Sequence, residues 1–107
     1  MADAAAKIYE GQPGTGDTLL YTDASGNTTI IRNIHVANTT GTAATITLGL
    51  NAGAALAAAN HFLSALSVPA NGTYDWSGFA VLSASGTIRA LQGTSSALTV
   101  TISGVTQ

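Results

Sequence analysis

Apolar residues alternate with threonine and serine along most of this chain, and glycine or Asn-Gly steps break the alternation at short intervals. A period of two is that of a strand with one face in a core and the other in solvent. The cleanest stretch is Ala43–Leu50. Ala44, Ile46, Leu48 and Leu50 fall on one face there, and Thr45, Thr47 and Gly49 on the other. Ala97–Val105 repeats the pattern through Leu98, Val100 and Ile102. Shorter strands are expected at Ala6–Glu10, Asp17–Thr22 (with Leu20 inward), His61–Val68, Thr73–Ser77, Phe79–Leu82 and Thr87–Leu91. Thr28–Thr39 is the longest candidate. Ile30, Ile34 and Val36 share a face in it, but Arg32 has the same parity. A bulge that resets the register, or a place for Arg32 at the rim, would resolve the conflict.

The connections carry turn chemistry. Gly11–Gly16 holds Pro13 and three glycines, and Asp23–Asn27, Asn38–Thr42, Pro69–Gly72 and Ser83–Gly86 are short polar turns. Asn51–Asn60 is read as a loop with at most one helical turn, because Ala54–Ala59 is too short and too uniformly small for an amphipathic stripe. About eight strands at this turn spacing give an all-β fold, a single jelly-roll-like β-sandwich of antiparallel strands. Residues 1–10 are read as an N-terminal arm with a short strand, and residues 11–107 as the sandwich domain.

Composition narrows the function more than the fold. Charged residues make up 7% of the chain, where about 25% is usual, yet mean hydropathy is only +0.32. Thr, Ser and Asn must supply the polar surface. Such a surface meets another protein without desolvating many ions. A net charge of -2 gives no basic footprint for nucleic acid. No apolar run approaches the roughly 20 residues that span a bilayer, so no membrane partner is expected. The start has an acid, Asp3, where a secretory leader carries basic residues. Synthesis and folding in a cytoplasm are expected from that.

Candidate chemistry is sparse. There is no cysteine. His35 and His61 fall on different strands with no evident third ligand, so no metal site is expected. Asp23–Asn27 has one acid where a calcium loop needs several. Gly11–Gly16 lacks the lysine and the helix start of a phosphate cradle. The five acids are scattered, and no Gly-x-Ser-x-Gly elbow occurs. No catalytic residue and no cofactor is assigned, and an enzyme is not expected. Tyr74 and Trp76, two apart on one strand, are read as core pieces, with a sugar-stacking platform as the alternative. Trp76 is expected to be mostly buried.

The series Leu20–Thr22, Ile30–Thr39, Ala43–Leu48, Val68–Thr73, Thr87–Ala90 and Leu98–Val105 resembles a pattern common in small virion proteins of tailed bacteriophages. The resemblance covers most of residues 18–105. It implies a structural β-sandwich, either a capsid decoration or cement protein or a small tail, neck or fibre component. The implied partners are the major capsid protein or other virion proteins, together with copies of the chain itself in a homo-oligomer. The implied location is the virion, and a carbohydrate-binding host-adhesion module is the alternative of another class. The departures from the pattern are the turn at Asp23–Asn27 and the alanine-rich Ala52–Ala59. Contact residues are expected on the arm, at Ile8 and Tyr9, and around the 51–62 excursion, at Leu56, His61 and Phe62. Ile8 and Tyr9 could add to a neighbour's sheet edge.

Overall fold

A computed structural model describes residues 4–23, 28–51, 55–83 and 85–106. Eight strands follow in order: β1 (Ala4–Gly11), β2 (Thr18–Thr22), β3 (Thr29–Asn38), β4 (Ala44–Leu50), β5 (His61–Val68), β6 (Thr73–Leu82), β7 (Thr87–Gln92) and β8 (Leu98–Thr106). One turn of 3-10 helix, Ala58–Asn60, precedes β5. The segments read as two strands at 73–77 and 79–82 are one continuous strand, β6, with Gly78 inside a register shift against β3 rather than in a turn.

The strands form two four-stranded sheets, ordered β1-β8-β3-β6 and β2-β7-β4-β5, with every neighbouring pair antiparallel. Every connection except β4–β5 passes from one sheet to the other. This is the strand order of a jelly-roll sandwich. The core lies between the sheets. Ile31, Ile34, Val36, Leu98, Val100 and Ile102 from the first sheet meet Ile46, Leu48, Leu63, Val68, Ile88 and Ala90 from the second.

The conflict at Arg32 is resolved by a bulge. Ile31 pairs with Gly104 of β8 and Asn33 with Ser103, so β3 holds one residue more than its partner. The extra residue turns Ile31 inward, fully buried, and puts Ile30 on the outer side with Arg32 exposed. The expected inward set of Ile30, Ile34 and Val36 is therefore corrected to Ile31, Ile34 and Val36. Gly104 is required there, since a Cβ would overlap the Ile30 carbonyl oxygen. β1 carries its own extra residue against β8 between Lys7 and Tyr9, and β6 carries one against β3. The irregularity thus crosses the whole sheet at one level.

Buried polar side chains close the turns. The Asn38 amide donates to the carbonyls of Thr42 (2.8 Å) and Val68 (3.1 Å) and accepts from the Thr40 N–H (2.9 Å) and hydroxyl (2.7 Å). Gln92, fully buried, accepts from the Leu98 N–H (2.7 Å) and donates to the Pro13 carbonyl. The Gln92 N–H also donates to the Gly14 carbonyl (3.0 Å). The glycine-rich loop is thereby pinned to β7.

Candidate functional site: the outer face of the first sheet

Residues opposite one another in adjacent strands share a face, so the register fixes what the first sheet presents outward. One row reads Lys7, Ser103, Asn33, Ser77, and the next Glu10, Thr101, His35, Asp75. A third reads Thr99, Ala37, Thr73. Beyond the bulge the chemistry changes. Val105, Ile30 and Val81 form an apolar row across three strands, and Phe79 stands beside it on β6. Phe79 is 66% exposed and Val81 46%. The face is thus a hydroxyl-rich ladder with an apolar end.

Its charges are paired locally. Lys7 Nζ lies 2.8 Å from Glu10 Oε1. That hydrogen bond, and then the attraction between the charges, raises the Lys7 ammonium above its usual range and lowers the Glu10 carboxyl below its own. His35 Nδ1 lies 2.5 Å from Asp75 Oδ1 across the β3–β6 pair. The Arg32 guanidinium donates through Nε to the Gly78 carbonyl (3.0 Å), which holds it beside Phe79.

The residues expected to make contacts are dispersed. Ile8 occupies the β1 bulge and is buried in the core, and Tyr9 packs partly against the same core. β1 pairs with β8 of its own chain from Ala4 to Gly11. Leu56 leans on Gly49, where a Cβ would come within 2.7 Å of its Cδ2, and its N–H donates to Asp17 Oδ2 (2.9 Å). Asp17 also bridges Arg89 at 3.2 Å. Leu56, and with it the described part of the excursion, 55–60, is therefore held against the outer side of the second sheet of its own chain. His61 sits on that side opposite Gly49, with Nδ1 3.2 Å from the Ser64 hydroxyl. Phe62 turns inward instead and meets Trp76 edge-to-face, with ring centroids 4.9 Å apart.

Tyr74 and Trp76 both lie on the inner side of β6, packed against the core. Trp76 is mostly buried, as expected, though not fully: β6 is an outer strand, and the ring closes against Phe62 of β5. His35 and His61 occupy opposite outer faces of the sandwich and cannot share one ion. Among the described residues no three His, Cys, Asp or Glu side chains come together, and no concave pocket forms. Asp23 is 2% exposed; Oδ1 accepts from the Thr29 hydroxyl (2.9 Å), while Oδ2 is buried without a partner among the described residues.

The apolar row was not found from the sequence. Its signal was Arg32 sharing the parity of Ile30, Ile34 and Val36, a conflict that a bulge resolves by turning one of them outward. No protein-family model and no curated protein matches the sequence.

Proposed function

We propose that the protein is a non-enzymatic structural component of a tailed-phage virion, acting as a capsid decoration or cement protein. It docks on the major capsid protein or on neighbouring copies. The observation that carries this is the outer face of the first sheet, a broad ladder of Thr, Ser and Asn side chains ending in an exposed apolar row. The charged side chains on it, Lys7, Glu10, Arg32 and Asp75, already have partners within the face, so another protein can cover it with limited further loss of ion solvation. The strand series similar to small virion proteins supplies the biological setting. Repetition over a symmetric lattice would turn a weak contact per subunit into firm attachment through effective concentration.

The test is co-sedimentation of the purified protein with phage particles that lack it. Saturable binding at a fixed number of copies per particle is the expected result. No binding to capsids, or binding confined to isolated tails, would remove the decoration role.

A further inference from the structure

The sandwich has four outer strands, and three are blunted. β1 bears the Lys7–Glu10 ion pair and a bulge. β2 is five residues long with a register shift. β5 is interrupted twice, once near Ala65, which stands in the left-handed region at φ 48. Charges, shortness and bulges are the devices that keep an edge from recruiting another strand. β6 differs. It bears one extra residue against β3, between Ser77 and Ala80, and the charged Asp75, but it runs ten residues with no strand beyond it among the described residues and exposes two large apolar side chains, Phe79 and Val81.

The orientation of its main chain can be read from its partners. The carbonyls of Trp76 and Gly78 are taken by Asn33 and Arg32 of β3, so the even-numbered groups point toward β3. In a strand the alternate groups point the other way. Accordingly the Val81 carbonyl accepts from the amide of Asn51, just past the end of β4, at 3.2 Å. Asn51 caps that end, and the odd-numbered groups from Thr73 to Phe79 face the open edge.

We propose that this edge pairs with β6 of a second copy, antiparallel about a two-fold axis, and joins two four-stranded sheets into one of eight. A row of N–H and C=O groups is matched by another extended strand. A two-fold axis sets the same strand against itself, so outward residues meet outward residues and the contact closes at a dimer. Charge favours a copy of this chain as the occupant. An axis at Ser77 places Phe79 opposite Asp75 of the second copy, in the row that also holds Arg32. The cation of each subunit then lies along the row from the anion of the other, with Phe79 between them. The two Asp75 carboxylates stay four residues apart along the pair, roughly 13 Å, beyond the Debye length at physiological salt.

The inference deepens the reading of the protein as an assembling subunit and rests on it for its setting, but the two fail on different data. Analytical ultracentrifugation of the full chain over a concentration series tests it. Wild type should pass from monomer to dimer. Phe79→Lys should raise the dissociation constant about tenfold or more with an unchanged Tm at concentrations where both proteins are monomeric, because Phe79 is exposed. Ser77→Pro, which deletes an edge N–H facing away from β3, should do the same. A wild type that stays monomeric to millimolar concentration overturns the proposal, as does a dimer whose affinity survives both substitutions. A dimer that forms normally but never binds particles would instead sink the virion reading and leave the edge pairing in place.

Discussion

Ala65 carries backbone strain that a smaller residue would relieve. Its φ of 48 lies in the left-handed region, where a Cβ costs about 1–2 kcal/mol. The conformation is held by the β5 bulge, in which the Ala65 N–H donates to the Thr47 hydroxyl at 3.0 Å. Ala65→Gly should therefore stabilise the protein by about 1 kcal/mol and raise Tm by a few degrees, read by thermal denaturation. A lower Tm would show that flexibility gained in the unfolded chain outweighs the strain. At this scale the sequence was legible where the alternation was clean. Ala44, Ile46 and Leu48 in β4 and Leu98, Val100 and Ile102 in β8 all point inward as expected. It was not legible at Ile30 and Ile31, since which of two adjacent isoleucines turns inward depends on a bulge set by Gly104 in a strand seventy residues away.

At the scale of elements, β1 shows how local pattern and long-range pairing divide the information. Alternation located the strand but said nothing about its partner. A short strand followed by a glycine-rich segment reads equally well as an arm for a neighbour or as an edge of its own sheet. The chain supplies a continuous partner in β8 and a core position for Ile8, and Gln92 pins the following loop. Removing residues 1–11 should accordingly destabilise the fold by at least the roughly 2–5 kcal/mol of a lost core isoleucine, seen as a shifted denaturant midpoint. An unchanged midpoint would mean that β1 contributes nothing to the sandwich. The excursion before β5 is a similar case. Its single helical turn was foreseeable from composition, but its attachment through Asp17 was not, because Asp17 and Leu56 meet only after β2, β7 and β4 have assembled.

For the molecule as a whole, low charge and strand periodicity defined a sandwich with little long-range field, and the strand order is that of a jelly roll. The candidate docking face was less legible than the core. A core is marked by alternation within one strand, whereas the apolar row is assembled from β8, β3 and β6 and exists only in their mutual register. The position of β8 has a consequence in time. It lies between β1 and β3, yet it follows every other strand in sequence. The first sheet therefore cannot close until β8 has been made; until then β1 has no partner in it, and β3, which can already pair with β6, has one edge open. Such non-local closure is slow, in the range of milliseconds to seconds for all-β domains. Stopped-flow refolding followed by Trp76 fluorescence should fall in that range, and a submillisecond phase carrying the full amplitude would contradict it. Until β8 is made, the open edges of β1 and β3 are places where another strand can pair wrongly.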